Sequence, residues 1–242
     1  MRAREDAFGR MIYDYHRGDR SGSEIVERDD GYFDVSGGPD TYFREYKNWS
    51  PHERKAMQYV RGRVLDIGCG AGRSGLHLQT RGHEVLGIDV SPLALKVARQ
   101  RGLRSTRELS ITKVGPDLGK FGTILMMGNN FGLFGSRKRA RWLLRRFKRV
   151  TTDDARVIAE SVHVYRTADP DHHRYHRMNR ERGRMGGQIR IRVRYQTYVT
   201  PWFDYLFVSP AELKDLLGGT DWHVERLVDS GGPSYIAVIE KD

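Results

Sequence analysis

The sequence predicts an α/β fold built on a parallel sheet, and three features carry that reading. Short apolar runs alternate with helix-forming segments between residues 50 and 160. The helix-forming segments open on serine caps and close on glycine or basic turns, so the two kinds of element are separately punctuated. Two more strand-like runs close the chain as a hairpin joined by Gly231-Gly232-Pro233. Strands that alternate with helices pair in parallel and are covered on both faces.

Residues 1–49 lack clear periodicity but carry many aromatics, including Phe8, Tyr13, Tyr15, Phe43 and Trp49. They read as a lid rather than a free tail. Ser50-Pro51-His52-Glu53 is a capping box with proline at the first helical position, predicting a helix to about Val60. Arg63 to Ile67 is a short strand that runs into Gly68-Cys69-Gly70-Ala71-Gly72, and a helix follows to about Thr80. Glu84 to Ile88 is the next strand and ends at Asp89; Ser91-Pro92 then caps a helix that Gly102 stops. A weak strand falls near 104–108, and Phe121 to Met127 is apolar enough for a buried strand. Ser136 opens a helix to about Arg149, and Arg156 to Ala159 is another strand. Residues 165–187 are rich in His and Arg and show no core pattern. Ile189, Ile191, Val193 and Tyr195 then alternate with Arg190, Arg192, Arg194 and Gln196, a half-buried strand with an arginine face. Phe203 to Val208 is a strand, Ser209-Pro210-Ala211-Glu212 caps a helix to Leu217, and His223–Val228 with Tyr235–Ile239 form the closing hairpin.

The 242 residues include 42 Lys+Arg and 31 Asp+Glu, a net charge of +11. That balance suits nucleic acid or an acidic small molecule, and equally a set of solvated basic helix faces. No run approaches the ~18 apolar residues of a membrane span. The start, Met1-Arg2-Ala3-Arg4, lacks the apolar region of a signal peptide. One cysteine forbids an internal disulfide. A cytoplasmic protein without a membrane partner is expected.

A strand, three alternate glycines, a helix and a second strand ending in an acid make a nucleoside-binding arrangement. Arg73 stands where a dinucleotide fingerprint wants its third glycine, and no Gly-Lys-Ser/Thr follows for a phosphate loop. Asp66, two residues before Gly68, would oppose a pyrophosphate. It suits a ligand with a cationic amine or sulfonium and no phosphate, and S-adenosylmethionine meets all three conditions.

Val64-Leu65-Asp66-Ile67-Gly68-Cys69-Gly70-Ala71-Gly72-Arg73 resembles the first motif of the class I S-adenosylmethionine-dependent methyltransferases, of the small-molecule type. Gly87-Ile88-Asp89-Val90-Ser91 resembles that family's acidic second motif. The resemblance covers residues 50–165 by motif and 203–240 by pattern. It implies a Rossmann-like, seven-stranded, mostly parallel sheet with an antiparallel last strand, and S-adenosylhomocysteine as product. It further implies that Gly68, Cys69, Gly70 and Gly72 pack on the methionyl part and that Asp66 orients the amine. Asp89 would bind the ribose hydroxyls and Val90 the adenine. Ser110 and Ile111 would flank that base, although the family more often has Asp at the position of Ser110. Met127 and Gly128, at the fourth strand end, fall near the cofactor by the same analogy.

Methyl transfer from a sulfonium is an in-line displacement, so alignment is the protein's main task. An oxygen nucleophile also needs a base, whereas an amine or thiolate can do without one. Cys69 lies in the cofactor loop, which disfavours mechanisms that need a separate cysteine nucleophile. Gly128-Asn129-Asn130-Phe131 lacks the Pro-Pro of the exocyclic-amine nucleic acid methylases. Asn129, Glu160 and His163 are the catalytic candidates, since open α/β sheets place ligands at the carboxyl ends of their strands. Tyr42, Tyr46, Asn130, Tyr198, Trp202 and Tyr205 are candidate substrate residues. His172, His173 and His176 have partial metal-ligand spacing without a supporting acid, and no metal is expected. The basic run Arg137 to Arg149 carries an apolar stripe at 140, 143, 144, 147 and 150, so it reads as a sheet-covering helix with a solvated basic face. The arginines at 190, 192 and 194 either extend that surface or favour a carboxylate substrate.

These readings combine into one methyltransferase domain over 1–242. It comprises a lid (1–49), a cofactor-binding core (50–164), a substrate-side insertion (165–200) and closing strands with a helix (201–242). The expected reaction is methyl transfer to nitrogen or oxygen of a small molecule. An RNA methyltransferase using the arginine surfaces and a non-catalytic cofactor-binding partner protein are the alternatives. The acceptor and the oligomeric state are not legible.

Overall fold

The computed structural model describes residues 3–242; Met1 and Arg2, read above as part of the lid, lie outside the described residues. In chain order the elements are α1 (Ala7–His16), β1 (Ile25–Arg28), β2 (Phe33–Val35), α2 (Pro51–Met57), β3 (Val64–Ile67), α3 (Arg73–Thr80), β4 (Val85–Asp89), α4 (Pro92–Gln100) and β5 (Ser105–Glu108). Then follow β6 (Phe121–Met126), α5 (Arg137–Phe147), β7 (Thr151–Val162), α6 (Pro170–Glu181), β8 (Gln188–Tyr195), β9 (Tyr198–Val199), β10 (Phe203–Leu206), α7 (Pro210–Leu217), β11 (Trp222–Asp229) and β12 (Ser234–Lys241). The main sheet has seven strands in the order β11-β12-β7-β6-β3-β4-β5. It is mostly parallel, with β12 antiparallel to its neighbours, as the sequence predicts. No described helix is long and apolar enough to cross a membrane.

The chain gathers into two compact units. The first holds the chain up to Trp49, Leu65–Ile111 and Arg190–Phe203. Here β4 and β5 pair in parallel, Leu86 opposite Ser105 and Asp89 opposite Glu108. A small antiparallel sheet joins β1 to β2 and to β8, with Ile25 opposite Val35 on one side and Arg194 on the other. The arginine face of β8 has a protein partner: Glu27 ion-pairs with Arg192 and Arg194, and these two hold its carboxyl down at about 2. The unit's core forms where α1 lies along α4, through Met11, Ile12, Ala71, Ala94 and Val97.

The second unit holds Ser50–Val64, Thr112–Ile189 and Asp204–Asp242. β6 and β7 pair in parallel, and β12 runs antiparallel between β7 and β11. α5 buries Ala140, Leu143, Leu144 and Phe147, the stripe read from the sequence, and leaves its basic face in water. α2 and α7 both open on complete capping boxes, from Ser50 to Glu53 and from Ser209 to Glu212.

Two segments differ from the sequence reading. Residues 165–187 contain α6, which Asp169 caps by accepting from the Asp171 N–H and which buries Tyr175, His176 and Asn179. Its buried positions are aromatic and polar, so no aliphatic stripe announces it. α1 likewise lies in a segment without obvious periodicity. It alternates small and large apolar residues among charged ones, and Asp6 caps it.

Candidate cofactor loop and acid–base site

In the first unit, β3 turns into α3 through Gly68-Cys69-Gly70-Ala71-Gly72. Gly68, Gly70 and Gly72 have φ of +71°, +53° and +79°. An L side chain enters that left-handed region only with strain of about 1–2 kcal/mol per residue, so the three glycines set the path of the loop. The N–H groups of Gly68 and Cys69 donate to the Ile88 carbonyl at 2.8 and 3.1 Å, tying the loop to the end of β4. The Gly70 N–H donates to Asp89 Oδ2 at 3.0 Å, and the Ser91 N–H to Asp89 Oδ1 at 2.9 Å. The Asp89 carboxylate thus anchors both the glycine loop and the start of α4, and each oxygen keeps a lone pair for a further donor. Burial raises its pKa, while these N–H groups oppose the shift. Val90, beside it, is 44% exposed, an apolar side chain left open. Ser110 and Ile111 lie half-buried just past β5.

Asp66 is buried at the end of β3. Burial, with the nearby Asp89 charge, raises its pKa to about 7, against the pull of the Gly75 backbone and the Arg73 charge. Its Oδ2 has no hydrogen-bond partner among the described residues. An unpaired buried carboxylate oxygen is costly. A cationic amino group placed against it would supply charge and donor together. The Cys69 thiol is also buried, and burial with the two acids pushes its pKa well up, which leaves it a poor nucleophile.

α1 covers this loop. The Asp6 carboxylate, itself buried, accepts from the Gly9 N–H (3.0 Å), Ser91 Oγ (2.9 Å) and the Leu93 N–H (3.3 Å). A Cβ on Gly9 would stand 2.0 Å from Ser91 Oγ, so only glycine permits the approach. Phe8 and Ile12 come within 3.7–3.8 Å of where a Gly70 Cβ would be. Tyr42 meets Phe8 edge-on at 5.0 Å and donates to Glu24 Oε1 at 2.7 Å. Tyr198 packs against the same cluster. Tyr46 stacks flat on His77 at 3.9 Å, and the Arg192 guanidinium lies 4.5 Å from the Trp202 ring centre. Of the aromatics expected around a substrate, Tyr42 and Tyr198 therefore join α1, while Tyr46 and Trp202 are each covered by another side chain.

In the second unit, β6 ends at Met126, and the chain turns through the buried Met127 and then Gly128 and Asn129, the last two with φ of +67° and +63°. Both N–H groups donate to Glu160 Oε2 at the end of β7, at 2.7 and 3.3 Å. Asn130 starts the short 3-10 turn that follows. Tyr205 donates to the Asn129 carbonyl at 2.7 Å, and burial with the Glu160 charge holds its hydroxyl well above the ordinary value. His52, the second residue of α2, sets its Nε2 3.8 Å from Glu160 Oε1. That is an ion-pair distance rather than a hydrogen bond, and Glu160 raises the His52 pKa. His52 Nε2, Asn129 Oδ1 and His163 Nδ1 are buried without a hydrogen-bond partner among the described residues. Asn129, Glu160 and Tyr205 thus come together; His163 lies beyond, its ring edge-on to Tyr165 at 6.0 Å. His52 was legible only as part of a capping box. On α6, His172 bonds Thr167 Oγ1 at 3.0 Å and His176 packs on Tyr165. His223, Glu225 and Glu240 bring ligand atoms within 4.8 Å of one another, but Glu240 already pairs with Arg156 and Arg61.

A family described as a methyltransferase domain matches residues 64–154. The crystal structure of an S-adenosylmethionine-dependent methyltransferase from Bacteroides fragilis, in complex with S-adenosyl-L-homocysteine, superposes with a TM-score of 0.84. It is 25% identical, and the match covers 100% of this chain and 97% of that one. Residues 64–154 thus match a methyltransferase domain, and the whole chain shares the fold of an S-adenosylmethionine-dependent methyltransferase. Among curated relatives, the 2-heptyl-1-hydroxyquinolin-4(1H)-one methyltransferase of Mycobacteroides abscessus is 38% identical over 72 residues, 27% of this chain and 32% of the relative. The match thus spans about a third of that curated relative's length. The 1,6-didemethyltoxoflavin-N1-methyltransferase of Burkholderia thailandensis shares the fold, with a TM-score of 0.51, 16% identity and 84% coverage of each chain. The buried Asp66 oxygen beside a glycine turn, unpaired among the described residues, fits S-adenosylmethionine, whose amino group is a cation and which brings no phosphate.

Proposed function

We propose that this methyltransferase transfers a methyl group from S-adenosylmethionine to a nitrogen or oxygen of a small molecule, in the cytoplasm. The Asp66 carboxylate, buried at the glycine loop with one oxygen unpartnered among the described residues, carries the cofactor part of the reading. The small acceptor is supported by the names of a curated relative, a 2-heptyl-1-hydroxyquinolin-4(1H)-one methyltransferase, and of a structural neighbour, a 1,6-didemethyltoxoflavin-N1-methyltransferase. The cofactor supplies, when bound, a methyl group activated by its sulfonium. The chain's own work is then binding, orientation and proton handling. Asp66 holds the amino group, and the backbone of Gly68, Cys69, Gly70 and Gly72 lines the methionyl part. Asp89 takes the ribose hydroxyls, with Val90, Ser110 and Ile111 at the base. α1, latched through Asp6, keeps water from the loop. His52 with Glu160 is the acid–base pair assigned to the acceptor's proton, and Asn129 and Tyr205 fix the turn beside it.

The test is transfer of label from methyl-labelled S-adenosylmethionine in a fractionated extract of the source cells. Label in the small-molecule fraction supports the reading and yields the acceptor. Label in RNA overturns the acceptor class. No label, with the cofactor bound, leaves a non-catalytic binding protein.

A further inference from the structure

The second unit contains a cleft of ≈ 550 Å³ between the start of α5 and the turn after α6. Arg137, Lys138 and Arg141 line it from α5, Arg180 and Arg184 from α6 and its turn, and Glu212 is its one acid. We propose that this cleft binds phosphate groups of an anionic ligand, separately from the glycine loop.

The charge arrangement is the first argument. The two oxygens of Glu212 are engaged, one by the Tyr165 hydroxyl and the other by the N–H and hydroxyl of Ser209. Arg137 has an exposed ion pair with Asp215, the kind that contributes little. The Lys138 and Arg184 side chains have no ion-pair partner among the described residues. Five cations therefore share one cleft with two acids, Glu212 in its lining and Asp215 paired to Arg137, and the net positive field draws anions.

The helix end is the second argument. The N-terminus of an α-helix is its positive pole, so acids stabilise it and bases weaken it. α5 has no acid in its first turn and opens with Arg137, Lys138 and Arg139. Ser136 caps only the Arg139 N–H, so the first two N–H groups point outward without an intrahelical partner. This end is unfavourable for the free protein and favourable for a bound oxyanion.

The floor is pre-formed. Buried Asn179 donates from Nδ2 to the Gly186 and Gln188 carbonyls at 3.0 and 2.7 Å. A Cβ on Gly186 would lie 2.6 Å from the Tyr165 hydroxyl, and one on Gly187 2.3 Å from the Phe207 carbonyl oxygen. The turn that carries Arg184 is thus pinned, and guanidinium groups on a fixed frame match phosphate oxygens in pairs.

The source of the phosphate is either a free phosphate ester or a nucleic acid backbone, and one experiment separates them. The full chain is saturated with S-adenosylhomocysteine to fill the glycine loop. It is titrated with inorganic pyrophosphate by calorimetry and with a labelled short single-stranded RNA by anisotropy, at about 50 mM salt. The comparison protein is the Lys138→Glu, Arg184→Glu variant, in which both changed positions are exposed. Pyrophosphate binding that falls about tenfold or more in the variant, with RNA no tighter than pyrophosphate, identifies a site for free phosphate esters. RNA binding tighter than pyrophosphate, with a salt slope lowered by roughly one or two in the variant, identifies a nucleic acid backbone. No binding of either probe, or equal binding by both proteins, overturns the proposal. Lys138→Glu also places an acid in the first turn of α5, so its melting temperature should hold or rise; a drop would mean that Lys138 serves the fold, and the neutral pair Lys138→Gln, Arg184→Gln would then repeat the titration.

Discussion

Ser91 donates its hydroxyl to Asp6 at 2.9 Å, although the two residues are 85 positions apart. Each caps its own helix: Asp6 holds the Gly9 N–H of α1, and Ser91 holds the Ala94 N–H of α4. The helix that covers the glycine loop and the helix that follows Asp89 therefore share one hydrogen-bonded joint. Asp6→Ala removes an N-cap and two further bonds from a buried site, and should cost about 1–3 kcal/mol. Thermal melts with and without S-adenosylhomocysteine measure it. An unchanged melting temperature would show that α1 is held by its apolar contacts alone.

Asp89→Ala should abolish cofactor binding, because the same carboxylate orders the Gly70 and Ser91 N–H groups and faces the proposed ribose position. Asp89→Asn separates these roles, since it keeps an acceptor on one arm only. Calorimetry with S-adenosylhomocysteine reads both variants. Full affinity in Asp89→Ala would sink the ribose assignment.

Asp66 sets a pH dependence with a definite sign. In the unfolded chain it loses its proton near the ordinary 3.8, and in the fold near about 7. Between those values the folded state binds more protons than the unfolded one, so stability of the free protein should fall as pH rises. A cofactor ammonium prefers the ionised carboxylate, so affinity for S-adenosylhomocysteine should rise over the same interval. Asp66→Asn should flatten both trends and weaken binding by about tenfold or more. A flat affinity profile for the unaltered protein would place the amino group elsewhere.

Gly132 and Gly128 give a paired test of packing. A Cβ on Gly132 would fall 1.9 Å from the Tyr205 ring, whereas one on Gly128 meets nothing within 4 Å. Gly132→Ala should destabilise by about 1–3 kcal/mol or more through overpacking. Gly128→Ala should show only the milder strain of its positive φ. Urea midpoints compare the two, and equal losses would contradict the Tyr205 placement.

Glu160→Gln should lower the pKa of His52 toward its ordinary 6.5, since Glu160 is the main cause of its rise. The pair stabilises the fold while His52 is charged, fully below its unfolded value, and this contribution is lost as pH rises through the raised one. Imidazole NMR titration follows His52 directly. An unmoved titration would mean that the 3.8 Å pair carries no coupling.

The central fold was legible because its signals are local. Ser50, Ser91, Ser136 and Ser209 cap the helices where the sequence places them, and β4 and β6 are apolar runs that end at Asp89 and Met126. The glycine loop was legible for the same reason, since three positive φ angles leave a mark in residue type. α6 was not, because its buried face is Tyr175, His176 and Asn179 rather than an aliphatic stripe. His52 was missed because its meaning depends on Glu160, a neighbour only in space. Likewise, the alternation in β8 showed an arginine face but not that Glu27 would neutralise two of its members.

That pairing of β8 with β1 also governs how the chain must assemble. Glu27 and Arg192 lie 165 positions apart, and contacts this distant form only after a large loss of chain entropy. During synthesis, β1 and β2 emerge early and stand as an exposed hairpin, marginal by itself in water, until residues 190–195 follow. The sheet beside the cofactor loop is therefore completed late, and the capacity to bind cofactor should appear as one of the last events of folding.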